Sequence, residues 1–314
     1  MAKIKTSNKL VSDVKRRAMI PQSDRTFTES DFLDILNEEF SIGLLPKILE
    51  LHEEYYVVPE ILTPISGTNP PRYTIPYRAI GNKLRDVRVR HNTNSFTELT
   101  RISPDNIDIY TDSSTNAFYV ENDEIVVLAN LQGSLEVTYF FKPNELVDVK
   151  RGAKITGINN TVDTNNVPIT EIEISAIPSH FTSGIKYDIV RGKSPNKVLS
   201  YDMDSVSINT TVKTVTFLTA NVPSNIVLGD YLMEAEETIF PQLPVELLPV
   251  LTQMSAIACL DAIGDVEASN KANMKLVKME KNLTVLIDNR VEGAPKKIVN
   301  KNSRLGYNRK RYRN

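Results

Sequence analysis

The chain has no tryptophan, one cysteine and three histidines in 314 residues. The lone Cys259 excludes an internal disulfide, and no CxxC pair or zinc-type Cys/His spacing accompanies it. It lies in an apolar helical pattern, where a small buried thiol is expected. Absence of tryptophan disfavours a carbohydrate or aromatic-cage site. No uninterrupted apolar run approaches the ~20 residues of a membrane span. The basic N-terminus is not followed by an apolar stretch, so no secretory signal is expected. Glycine-rich phosphate loops, HExxH, EF-hand spacing and GxSxG are all missing. His52, His91 and His180 fall in a helix, a polar loop and a turn. An enzyme would need His91 or His180 gathered with carboxylates in a pocket. His52-Glu53-Glu54 reads as a solvated helix face. No enzyme activity, cofactor or metal is expected.

Charge is what the chain has, and it is unevenly placed. The formal net charge is −2. Gly293 to Asn314 carry eight Lys or Arg and no acid, and residues 1–17 carry six basic residues against Asp13. Removing this +8 and this +5 from the total leaves −15 on residues 18–292. An acidic body with two basic, apolar-poor ends points to docking arms.

The pattern predicts an α+β chain. Residues 1–23 read as a flexible basic arm. Residues 24–56 and 241–288 read as the two halves of one helical module. Thr28 and Asp31 have capping-box spacing ahead of Phe32, Leu33, Ile35 and Leu36. This first helix is expected to stop near Gly43, and a second tolerates Pro46 in its first turn. Pro244 opens a third helix with Leu247, Leu248, Leu251, Met254, Ile257, Ala258 and Leu260 on its apolar side. Gly264 ends it, and a last helix runs from about Val266 to Asp288.

Between the halves lie two β regions, 57–146 and 147–240. In the first, strands are expected at Ala117–Glu121, Glu124–Ala129 and Ser134–Lys142. A turn at Glu121-Asn122-Asp123-Glu124 joins the first two. Leu135, Val137, Tyr139 and Phe141 alternate, so one face of their strand is buried. The second region holds an internal repeat. Ile172 to Ser179 followed by Gly184 resembles Phe217 to Ser224 followed by Gly229, with Pro178/Pro223, Ser179/Ser224 and Gly184/Gly229 all offset by 45 residues. Two copies of strand, Pro-Ser turn, Gly turn and strand suggest a small pseudo-symmetric barrel or sandwich.

Two basic stretches are candidate contact sites. From Arg72 to Arg90, six basic residues face only Asp86. Arg78, Arg85 and Arg88 are candidate subunit contacts, against the alternative of a salt-bridged strand surface. In the tail at 289–314, Lys296, Lys297, Arg304, Arg309, Arg311 and Arg313 are spaced among Ile298, Val299, Leu305, Tyr307 and Tyr312. An extended segment of this kind folds onto a partner, with Tyr and Arg as anchors. Its interleaved Tyr and Arg also fit a flexible nucleic-acid-binding segment, and a solvated tail without a role is the third reading.

Three blocks resemble head–tail connector proteins of tailed bacteriophages, the adaptor or neck-ring type of short-tailed phages. They are Phe27-Thr-Glu-Ser-Asp-Phe-Leu-Asp-Ile-Leu-Asn-Glu-Glu-Phe40 with Leu44-Leu-Pro-Lys-Ile-Leu49, Tyr73-Thr-Ile-Pro-Tyr-Arg-Ala-Ile-Gly81 with Leu84-Arg-Asp-Val87, and Arg290-Val-Glu-Gly-Ala-Pro-Lys-Lys-Ile-Val299. The resemblance implies a virion structural protein of the neck, made in the host cytoplasm. It implies a homo-oligomeric ring of twelve copies that meets the portal protein and downstream tail proteins, with no membrane partner. It also implies that Lys296, Lys297, Ile298 and Val299 belong to a portal-docking arm continuing to Arg313. Genomic DNA would pass through the lumen without sequence specificity, and an acidic wall would repel its phosphates. The alternatives are a lower tail ring or gatekeeper that retains DNA, and a nucleic-acid-binding protein acting through its tails.

Overall fold

A computed structural model describes residues 5–21, 26–92, 95–110, 116–128, 133–193 and 198–287. The chain is mixed α+β. Helices α1 (Ser7–Arg17), α2 (Glu29–Glu38), α3 (Leu45–Leu51), α4 (Leu248–Ile263) and α5 (Val266–Ile287) come from its two ends. All five contribute to a single apolar core in which Leu10, Phe32, Leu36, Leu44, Ile48 and Leu251 are fully buried.

Segment 1–23, expected to be a flexible arm, instead contains α1. The basic residues mask a helical apolar face of Leu10, Val11 and Val14, which α1 packs into this core. The helix is pinned at its start, where the Ser7 amide donates to the Ile239 carbonyl at 2.9 Å. Asp13 is buried at its centre. Burial pushes its carboxyl up, but Lys5 at 2.7 Å, Lys9 and Arg16 outweigh this and hold it below the ordinary range.

The capping box forms as expected: the Asp31 amide donates to Thr28 Oγ1, and the Thr28 amide to the Asp31 carboxylate at 2.7 Å. Gly43 does not stop the helix. It sits in a π-helical segment, Glu39–Leu44, that leads directly into α3. Its missing side chain serves close approach instead, because a Cβ there would overlap Cε of Met254 on α4. Pro244 opens a short 3-10 turn, Val245–Leu247, one step before α4. Gly264 ends α4 in the left-handed region at φ 83°. The stretch Val245–Ile263 is long and apolar enough to cross a membrane, but 67% of it is buried within the fold. Burial on nearly every side, not an apolar stripe, explains its composition. Cys259 is fully buried there, which pushes its thiol up to about 11.

The first β region is two facing sheets. Strands β1 (Val57–Leu62), β3 (Ala79–Asn92), β4 (Ser95–Glu98) and β8 (Ser134–Phe141) run in the order β1-β8-β3-β4. Strands β2 (Arg72–Thr74), β5 (Thr100–Arg101), β6 (Ala117–Glu121) and β7 (Glu124–Val127) run in the order β2-β7-β6-β5. Val87, Val89, Leu135 and Val137 of one sheet share a core with Phe118, Ile125 and Val127 of the other. Burial on β8 is not confined to one face, since Glu136 and Phe140 are also covered.

Two short parallel strands, β9 (Glu145–Leu146) and β16 (Glu237–Thr238), bracket the second β region. Between them β10 (Ala153–Val162), β11 (Pro168–Ile174), β12 (Lys186–Val190), β13 (Val198–Asn209), β14 (Thr214–Leu218) and β15 (Tyr231–Glu234) close a barrel in the order β10-β11-β14-β13-β12-β15. Exchanging β10/β13, β11/β14 and β12/β15 leaves every neighbour relation unchanged, so the 45-residue repeat is a pseudo-two-fold of the barrel. Repeat mates pair directly on its axis: Glu171 with Thr216, and Asp188 with Met233. The Pro-Ser turns also match, with Phe181 donating to Pro178 O and Ile226 to Pro223 O. Gly184 and Gly229 take φ 91° and 94°, a conformation that favours glycine.

Candidate functional site

The three candidate arginines of the basic stretch meet different fates. Arg78 is not a subunit contact. Its side chain is 3% exposed and forms the hub where the units of the chain meet. Nη2 donates to both carboxylate oxygens of Asp188, at 3.1 and 3.0 Å, and to Asp202 Oδ1 at 2.6 Å. Nε donates to Asp202 Oδ2 at 2.8 Å and Nη1 to Asn144 Oδ1 at 2.8 Å. The guanidinium also lies 5.1 Å from the Tyr201 ring centre. Planar, five-donor geometry suits arginine to such a hub.

The network continues outward from the carboxylates. Asn144 Nδ2 donates to Asp188 Oδ2 and to the Glu237 carbonyl, and the Asn144 amide donates to Gln242 Oε1. The Asp202 amide donates to Asp188 Oδ1 at 2.8 Å. The hub therefore ties the start of β3, the β8–β9 connection, barrel strands β12 and β13, and the segment entering α4. Burial disfavours the charge on Arg78, but Asp202, Asp188 and Tyr77 outweigh it and raise its pKa. Burial pushes the Asp188 carboxyl up against the opposing pull of Arg78.

Arg85 and Arg88 lie on a salt-bridged strand surface. Arg85 Nη2 is 3.3 Å from Glu53, at the end of the helical segment. Arg88 Nε donates to Glu136 at 2.9 Å, Arg90 Nη1 lies 3.5 Å from the same carboxylate, and both guanidiniums cover the Phe96 ring. Both Arg85 and Arg88 remain about one-third exposed, so a neighbour would share them with these acids. The arm residues Lys296, Lys297, Ile298, Val299, Arg304, Leu305, Tyr307, Arg309, Arg311, Tyr312 and Arg313 lie outside the described residues.

The histidines remain apart. His91 contacts Thr97 at the β3–β4 hairpin. His52 borders a cavity of about 450 Å³ between the α3–β1 hinge and β13, with Tyr55, Tyr56, Phe141 and Tyr201 as its aromatic walls. Among the described residues, its buried Nδ1 has no hydrogen-bond partner. Tyr56, on the cavity wall, donates to the Gln242 carbonyl at 2.7 Å.

His180 does meet carboxylates, a grouping not visible in sequence because Glu234 and Glu237 are distant from it. Ligand atoms of the three lie within 4.8 Å of one another, a donor set that could hold a divalent cation. Arg151 already supplies positive charge there. Its Nε donates to Glu237 at 2.9 Å and its Nη2 contacts Glu234 at 3.2 Å. Burial and then the Arg151 charge push His180 below its ordinary pKa. Both carboxylates are engaged by Arg151.

What the arrangement does chemically is hold units together. Its strongest interactions are charge-assisted bonds across module boundaries. Neither a scan against protein-family models nor a search of the curated proteins finds a match to this chain.

Proposed function

We infer that this chain is a non-enzymatic structural connector of a phage neck, forming a ring between portal and tail through which DNA passes. The observation that carries the reading is the joining of N- and C-terminal helices into one core. That union makes one helical core, and the Arg78 hub ties the first β region, the barrel and the segment entering α4 to one another. A load-transmitting ring needs such stiffness, and it needs two different faces of one subunit that close by rotation. Helix α5 is described to Ile287, and the basic segment 289–314 follows it in sequence. Twelve such arms engaging together would gain avidity that one weak arm lacks.

The experiment is truncation after Glu292, with the shortened and full chains each co-sedimented with the portal. Loss of co-sedimentation with the fold retained is the expected result, and unchanged co-sedimentation would sink the docking role. Cross-linking from Lys296, Lys301 or Lys310 separates portal docking from a lower gatekeeper ring by the peptides captured. Salt-dependent DNA binding by the isolated tail would favour the nucleic-acid alternative.

A further inference from the structure

Two helices on the surface of the helical unit carry opposite, unmatched charge. Helix α2 has Glu29, Asp31, Asp34 and Glu38 and no basic residue; Glu29, Asp34 and Glu38 are exposed and Asp31 is half-buried. Asp31, Asp34 and Glu38 follow the i, i+3, i+7 spacing of one helical stripe. Ile42, in the π-helical continuation, is 71% exposed at the end of this stripe. Among the described residues, none forms an ion pair with Glu29, Asp34 or Glu38.

Helix α5 is the counterpart. It packs inward through Ala268, Ser269, Ala272, Leu276 and Met279 and leaves its other sides open. Lys271, Lys275, Lys278 and Lys281 are exposed on it. Among the described residues, only Lys271 of these four has an acidic partner, Glu267. Met274 and Val277 stand between the lysines, 63% and 51% exposed. At 1.5 Å per residue, the acidic stripe from Asp31 to Glu38 is about 11 Å long, about 17 Å with Ile42, and the lysine row from Lys271 to Lys281 is about 15 Å long.

We propose that the acidic face of α2 in one copy docks on the lysine face of α5 in a second copy, with Ile42, Met274 and Val277 forming the apolar part of the contact. The rows oppose in sign, the acidic one with Ile42 is comparable in length to the lysine one, and each has apolar side chains that a solvated helix face would not need. The two faces differ, so the contact is heterologous and propagates from copy to copy until it closes. This deepens the ring reading and rests on it for its geometry.

The test uses full chains and two double variants. D34K/E38K makes both faces positive, and K275E/K278E makes both negative. Asp31 is left intact because it caps α2. Each variant alone should lose assembly by at least tenfold in concentration, while an equimolar mixture should restore it, read by mass photometry and analytical ultracentrifugation. Should a reversal fail to fold, the neutral variants D34N/E38Q and K275Q/K278Q, each weakened but not repelled, should pair into dimers when mixed, because each pair of copies keeps one wild-type contact. Assembly of single variants at the wild-type concentration, or a mixture that stays apart, overturns the docking but leaves a ring built on other faces. A charge-reversed mixture that stops at dimers supports the pairing and contradicts the ring. A wild-type chain monomeric up to about 1 mM, where even a weak contact is populated, overturns both.

Discussion

Asp188 and Met233 are repeat mates that pair across the β12–β15 ladder on the barrel's pseudo-two-fold axis. Both are fully buried, yet one is a carboxylate and the other a thioether. The symmetry is broken where the barrel meets the rest of the chain, because Asp188 receives Arg78 while Met233 packs against Val190, Ile239 and Phe240.

Replacing Arg78 by Met should cost about 3–5 kcal/mol, the usual result of stranding a buried charge. Arg78→Lys should recover only part, because an ammonium cannot reproduce the fork. The Asp188 pKa is already raised and should rise further without Arg78. A carboxyl whose folded value is raised holds its proton more tightly when folded, so stability increases as pH falls through that value and levels off below the unfolded value near 4. Urea melts of Arg78→Met should therefore show a smaller deficit at pH 5 than at pH 8. An equal deficit at both would contradict this role for Asp188.

Helix α1 should behave as core. Leu10→Ala should destabilise by about 2–5 kcal/mol in thermal or urea melts, as for a cavity in packed interior. A segment acting as a free arm would show no change.

Asp13 should make α1 sensitive to acid. Its folded pKa is lowered, so its stabilisation is present above the unfolded value near 4 and is lost as pH falls through the lowered value. Asp13→Asn should cost about 1–2 kcal/mol at pH 7, discounted because its cationic partners are partly exposed. The gap from wild type should close on acidification, read as converging melting temperatures.

Gly43→Ala should destabilise despite alanine's better helix propensity, by about 1–3 kcal/mol, because the new methyl meets Met254. Combining it with Met254→Ala should cost less than the sum of the two single changes, a coupling visible in a double-mutant cycle.

Features written in short-range chemistry were legible in the sequence. Thr28 and Asp31 lie three residues apart and form the cap expected of them. The matching Pro-Ser and Gly turns identified the barrel's repeat because each copy is a contiguous unit. The α+β class followed from the change of period at Val57 and again after Pro241. Features that depend on distant partners were not legible. Arg78 looked like one more surface arginine, since Asp188 and Asp202 lie 110 and 124 residues further on. Leu10, Val11 and Val14 were hidden among basic residues. Gly43 carried the signal of a helix stop, although its lack of a side chain answers to Met254 on another helix.

The central claim is that copies of this chain close into a ring that docks on a portal. Electron microscopy of the full chain mixed with portal tests it most directly. Coaxial rings, one stacked on the other, are expected, with the stack lost when the chain is cut after Glu292. Portal particles that remain bare at saturating chain, or complexes without rotational symmetry about the portal axis, would contradict it.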